Sequence, residues 1–260
     1  MKKRLFWGIA LSVFCAALVV VLAGCDNPTR GNGPRYSPEH WFEFDEEGGL
    51  VASDAFPDGT THISIPSSLG GIWVTAIGEW AFGGREEVGD TLVPIHQLTS
   101  VTIPNSITSI GLGAFSWNKI TSITIPNSVV HIEDGAFFDN ALTSVSIGNS
   151  VEVIAAGAFA NNYLTSVVIP NNVTLIGVNA FGNNALTSVT IGNSVEHIGD
   201  RAFASNDLTS ITIGYDVTIV RAPDWFTGQD RFGSSFDDYY ESRGRTAGTY
   251  TYSNGVWSRN

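Results

Sequence analysis

Apolar and polar positions alternate along this chain in two rhythms, and both recur every 22 residues from Leu98 to Asp207. Units begin at Leu98, Ile120, Leu142, Leu164 and Leu186, with a half unit from Leu208, and each reads close to L-T-S-V-T-I-P-N-S-V-x-x-I-x-x-x-A-F-x-x-N-x. Near the start of a unit Val101 and Ile103 are apolar at a spacing of two, with Ser100 and Thr102 between them. Ile123 and Ile125, then Val145 and Ile147, repeat the pattern, which predicts a strand with one buried face. Pro104, Pro126 and Pro170, or Gly148, Gly192 and Gly214, end the strand, and Asn-Ser or Asn-Asn begins a turn. Ile107, Ile110, Ala114 and Phe115 follow at mixed spacings of three and four, as in a coil wrapping back over a core. Ala114-Phe115 and its equivalents are expected on a single helical or 3-10 turn, too short for a full helix.

A fixed period of this length means a stacked array, because one unit cannot bury its own apolar side and a neighbouring coil can. The expected fold is a repeat solenoid of 22-residue units with a single parallel β-sheet and short turns or 3-10 segments on its outer side. Phe115, Phe137, Phe159, Phe181 and Phe203 should form a buried aromatic column. Asn118, Asn140, Asn162, Asn184 and Asn206 occupy one unit position, where an amide can bond the peptide groups of its own turn and of the next coil. A glycan-contacting asparagine stripe is the alternative for that row.

The period also sets the boundaries. Ile63 to Leu69 and Ile77 to Phe82 match the template with two insertions, so the solenoid occupies residues 41–220, irregular to about residue 60, with an insertion loop at 83–97. Residues 221–260 lose the period and turn aromatic and charged. Phe232, Phe236, Tyr239 and Tyr240 share one helical face, which Ser234 or Ser235 can begin and Gly244 can end. Asn254-Gly255 then centres a hairpin in which Tyr252 faces Trp257, with Tyr250 on the same side. This small helix and β-hairpin should cap the last coil's open edge. The rival reading is an aromatic platform for sugar or peptide.

The N-terminus changes the picture from a soluble array to an exported one. Met1-Lys2-Lys3-Arg4 precedes an uncharged run from Leu5 to Gly24, which reads as an export signal or, uncleaved, as an anchor. Leu22-Ala23-Gly24-Cys25 resembles the lipobox of bacterial lipoproteins, which implies a signal peptide over 1–24 and lipid attachment at Cys25. Residues 25–40 then form a breaker-rich tether. Cys15 would be removed with the signal, leaving an exported fold without a disulfide. The chain has 13 basic and 25 acidic residues; without Lys2, Lys3 and Arg4 the balance is 10 against 25, or −15. That disfavours nucleic acid or an anionic membrane surface as partner, so the lipid anchor is the only membrane contact expected.

Catalytic chemistry is not expected. His131 and His197 stand at one unit position three coils apart, too far to share a metal. No glycine loop is placed to cradle a phosphate, and no serine sits in a nucleophile elbow. No cofactor or metal site is expected, and the chain reads as no enzyme.

Ile103-Pro104-Asn105-Ser106-Ile107-Thr108-Ser109-Ile110-Gly111-Leu112-Gly113-Ala114-Phe115 resembles the signature of the BspA-type leucine-rich repeats of bacterial surface proteins, from about residue 60 to 220. Ser68 to Gly78 is similar to the first repeat of that family, and Ala247 to Trp257 to the endings of treponemal lipoproteins of this kind. Many members carry cysteine where this chain has Asn118 and its equivalents, so no thiol chemistry transfers. The resemblance implies an adhesin-like, lipid-anchored binding module of the cell envelope. Host extracellular-matrix or other surface proteins would be its partners, at the outer membrane or cell surface rather than the periplasmic face of the inner membrane. Asp26 after Cys25 bears on that choice, since in enterobacteria such an aspartate retains lipoproteins at the inner membrane. The alternative is a structural or scaffolding envelope lipoprotein with no soluble ligand. The outward Ser100 and Thr102 rows hardly vary, and so are poor hot spots. The expectation is either weak, repetitive contact of those rows with an extended partner, or recognition at the irregular parts: the 83–97 loop, Trp117, Phe138 and Tyr163, and Tyr250, Tyr252 and Trp257 of the cap.

Overall fold

The computed structural model describes residues 38–219, apart from 54–55 and 89–90, and residues 236–260, apart from 255. The signal segment, Cys25, most of the tether, Phe232, Ser234 and Ser235 lie outside the described residues.

Each 22-residue unit forms one coil of a solenoid. The alternating segment is a strand as expected: Ser100–Thr102, Ser122–Thr124, Ser144–Ser146, Ser166–Val168, Ser188–Thr190 and Ser210–Ile213. Where they pair they do so in parallel with a register of one whole unit, Ile123 facing Val145 and Val167 facing Val189, but they fall into three separate ladders. A second set of strands runs through the segment read from sequence as turn. Ser109–Ile110, His131–Ile132, Val153–Ile154, Leu175–Ile176 and His197–Ile198 form the core of a nine-stranded sheet, most of it parallel. Each holds two residues per coil, too few for alternation to be visible in sequence. The single sheet expected from the Ser100–Thr102 strands is thus divided, and the continuous sheet is the one on the other side of the coil.

Between the two sides lies the core. Phe82, Phe115, Phe137, Phe159, Phe181 and Phe203 are all fully buried. They stack in one column with centroids 5.3–5.5 Å apart and planes within 14° of parallel. Phe42 and Phe56 close its N-terminal end at 6.0 and 5.8 Å from Phe82.

The Ala-Phe corner is a hydrogen-bonded turn in which successive N–H groups use different partners. Those of Ala114 and Ser116 donate three residues back, to Gly111 and Gly113, while those of Gly113, Phe115 and Trp117 donate to the next coil. This alternation accompanies two left-handed residues per turn, at Gly113, Gly135, Gly157, Asn179 and Arg201 and at Trp117, Asp139, Asn161, Asn183 and Ser205. Corner backbone belonging to no strand is thereby satisfied.

The asparagine row completes it. Asn162 Oδ1 accepts the Leu142 N–H at 3.0 Å, and its Nδ2 donates to the carbonyls of Phe137, Phe159 and Ala160 at 3.0, 3.1 and 3.2 Å. Asn118, Asn140, Asn184 and Asn206 repeat the pattern. The row is the buried structural ladder, and no stripe of amides faces solvent at Asn118, Asn140, Asn162 or Asn206, each 9% exposed or less.

Hairpins close the stack. At the N-terminal end Phe42–Phe44 and Leu50–Ala52 pair antiparallel, and Leu50 continues the nine-stranded sheet beside Ile77. At the other end Gly248–Ser253 pairs antiparallel with Ser210–Ile213, and Val256–Arg259 folds back on it. The helix Phe236–Ser242 packs beneath, ended by Gly244 at φ 69°. There the Arg245 and Gly244 N–H groups bond the carbonyls of Tyr240 and Glu241, a Schellman closure. Among the described residues no helix is long and apolar enough to cross a membrane.

Candidate binding surface

The outer face of the first strand set is a lawn of small hydroxyls. Thr143, Thr187 and Thr209 each donate Oγ1 to the carbonyl of the threonine one coil earlier, at 3.2–3.3 Å, so this row is structural. The Ser144, Ser166, Thr124 and Thr190 side chains face solvent. One apolar residue, Val168, interrupts these rows and is 66% exposed.

The insertions that interrupt the period are hairpins. Residues 83–97, expected as a loop, carry strands Arg85–Val88 and Thr91–Pro94. Ser68–Leu69 and Ile72–Trp73 form a smaller hairpin around Gly70 and Gly71, both at positive φ. In the sequence Gly89-Asp90 and Gly70-Gly71 are glycine dipeptides flanked by β-formers, a hairpin signal.

The first of these hairpins clasps the solenoid through aromatic contacts. Trp117 stacks on Trp80 at 5.7 Å with planes 8° apart, meets Phe138 edge-on at 5.9 Å and carries the Arg85 guanidinium 4.8 Å from its ring centre. Arg85 also pairs with Asp139 at 3.0 Å. The structure therefore brings Trp117 and Phe138 together, half-buried, and adds Trp80, Arg85 and Asp139, which the repeat pattern did not single out. Tyr163 stands apart from them and is 63% exposed.

The cap aromatics are placed differently from a platform. Tyr250 is fully buried and Trp257 nearly so, packed with Phe236 and Tyr240, and of the three candidates only Tyr252 is half-exposed, tilted against Trp257 at 5.3 Å. As binding candidates Tyr250 and Trp257 are corrected: their rings form a small core that seals the last coil, and burial leaves them no free face. The Tyr240 hydroxyl donates to the Gly214 and Arg245 carbonyls at 2.6 and 3.0 Å, and burial pushes it up to about 12 from 10.0.

Large apolar side chains left in solvent include Ile72, Trp73, Leu92 and Tyr215, the first three on the two insertion hairpins. Trp73 walls a shallow depression with Ser67, Thr75, Asn105 and Ser106. His131 and His197 lie in one row with Val153 and Leu175 between them, as the repeat spacing implies. Among the described residues no group of three or more His, Cys, Asp or Glu could hold a metal ion.

Residues 86–209 match the family model described as a BspA type leucine rich repeat region, in 6 copies. No curated protein matches the chain. Among solved structures, a leucine-rich repeat protein of T. pallidum is 20% identical, with a TM-score of 0.41, over 68% of this chain and 71% of that one. The pneumococcal vaccine antigen PcpA is 17% identical, with a TM-score of 0.40, over 67% of this chain and 54% of that one. A leucine-rich cell surface protein of Faecalibacterium prausnitzii is 19% identical, with a TM-score of 0.29, over 72% and 78%.

Proposed function

We propose that this BspA-type repeat solenoid is a binding module of the cell envelope, held to the membrane by lipid on Cys25 and displayed to other surface or matrix proteins. The observation that carries the reading is the division of the surface. The strand rows of the regular coils expose short hydroxyls broken by Val168, and Tyr163 stands alone at a coil corner, whereas Ile72, Trp73 and Leu92 are grouped, each more than 60% exposed, on hairpins that interrupt the period. Rigid aromatic anchors carried by irregular segments on a uniform scaffold suit recognition, because a few buried aromatics supply most of an interface's energy. The match of residues 86–209 to a repeat type known from bacterial surface proteins supports the same reading.

The test is made on intact cells that express the full chain. External protease is expected to remove the repeats without lysis, and Cys25→Ala is expected to release the chain from the membrane fraction and to abolish labelling by a radioactive fatty acid. Repeats that are cleaved only after lysis would exclude surface display.

A further inference from the structure

We infer that the depression walled by Trp73 binds a neutral sugar residue, a hexopyranose unit of a glycan. Its five lining residues, Ser67, Trp73, Thr75, Asn105 and Ser106, come from the Ser68–Trp73 hairpin and its flanks and from the turn of the following coil. The two coils are fixed to each other here, since Thr108 donates both its N–H and its Oγ1 to the Thr75 carbonyl, at 2.7 and 3.0 Å. The hairpin is fixed in turn by the Val74 N–H bonding the Ser67 carbonyl at 3.0 Å. Trp73 therefore stands on a rigid base and yet is 69% exposed.

The polar groups around it are unspent. None of the side chains of Ser67, Thr75, Asn105 and Ser106 bonds to another described residue, and the Ser106 Oγ is buried without a partner among the described residues. Elsewhere in the Asn105 row, Asn127 and Asn171 accept the N–H groups of Asn149 and Asn193 at 2.8 and 3.1 Å. Ser128, the equivalent of Ser106 one coil on, also lacks a partner, so the hydroxyl alone marks nothing; the indole wall beside it does.

This combination selects the ligand class. The negative face of an indole attracts the weakly positive C–H face of a pyranose ring. Hydroxyls and an amide both donate and accept, matching a polyol whose groups do the same. None of the five residues is charged, and a chain of net charge −12 repels acidic saccharides, so the sugar is uncharged.

The inference deepens the binding-module reading by naming a site and a ligand class, and it needs neither lipid nor surface display. The full chain in a non-glycosidic detergent is examined by saturation-transfer NMR with lactose, chitotriose and mannotriose, and with a heparin tetrasaccharide as acidic control. At least one neutral probe is expected to receive saturation at its ring protons, with a dissociation constant on the order of 1 mM. Trp73→Ala is expected to weaken this about tenfold and Asn105→Ala to a smaller degree, with melting unchanged because both side chains are exposed. Absence of transfer to all three neutral probes, transfer undiminished in Trp73→Ala, or equal transfer to heparin would each overturn the site. Loss of all neutral-sugar transfer with the repeats open to protease would sink this site and leave the broader reading standing, whereas transfer lost in Trp73→Ala with the repeats hidden from protease would do the reverse.

Discussion

Trp80 and Trp117 lie ring over ring, 5.7 Å between centroids, and each has a left-handed backbone, at φ 53° and 56°. Bulky residues rarely adopt that conformation, so the stack and the corner geometry hold each other in place. Trp80 rests directly on Gly113, the corner residue of the following coil.

Gly113 and Gly157 hold the same place in their coils, at φ 58° and 62°, and should respond differently to alanine. At Gly157 an added Cβ meets nothing within 4 Å, and the left-handed penalty of about 1 kcal/mol is all that is expected. At Gly113 the Cβ would sit 2.3 Å from Trp80 Cζ3, which forces the indole aside and adds about 1–3 kcal/mol. Denaturant melts of the two variants check this, and equal losses would mean that the tryptophan stack contributes little.

Asn162→Ala orphans the Leu142 N–H inside the stack, while the Phe137, Phe159 and Ala160 carbonyls keep the Asn140 amide, the Asn184 amide and the Asp139 N–H, so a loss of about 1–3 kcal/mol is expected. Asn162→Asp keeps the acceptor but sets a carboxylate against those carbonyls, so its stability should fall further as pH rises and the acid ionises. Thermal melts at pH 4 and pH 8 distinguish the two variants.

The Tyr240 phenol titrates at about 12 in the fold against 10.0 ordinarily, because the buried site disfavours the phenolate. A pKa raised by folding contributes stability that is complete below pH 10 and lost as pH climbs through 12. Alkaline unfolding should begin in the cap within that window. Tyr240→Phe should remove this pH dependence while weakening the cap at neutral pH, since the Gly214 and Arg245 carbonyls lose a donor. Phenolate absorbance followed alongside near-ultraviolet circular dichroism reads both.

Removing residues 221–260 uncovers Ser210–Ile213, the strand now paired to Gly248–Ser253. The bared edge carries the buried Ile211 and Ile213, so the truncated chain is expected to aggregate. Light scattering after size exclusion is the measurement, and a monodisperse folded truncation would assign the tail a role beyond sealing the stack.

Replacing Ser144, Ser166 and Ser188 together by alanine should leave melting and binding nearly unchanged. Their hydroxyls make no bond to another described residue, and they belong to a uniform row without anchors. A large loss of binding with an unaltered melt would move the contact surface onto the sheet.

The repeat alone determined the solenoid, the strands at Ser100–Thr102 and its equivalents, the phenylalanine column and the asparagine ladder. It could do so because each contact in a stack joins a residue to its own counterpart one period away, so the period is the contact map. The helix and hairpin of the cap were legible for a similar reason, being local patterns closed by Gly244 and by the turn after Ser253. Only the tertiary structure decided matters that depend on unlike segments meeting. The two-residue ladder through His131–Ile132 arises from coils lying at bonding distance, and carries too little sequence to announce itself. Burial of Tyr250 and Trp257 follows from the helix settling onto the hairpin, while exposure of Trp73 and the joining of Arg85 to Trp117 and Asp139 follow from where two insertions fold. Aromatic composition marks these residues as energetic, but packing fixes whether that energy holds the fold together or is left for a ligand.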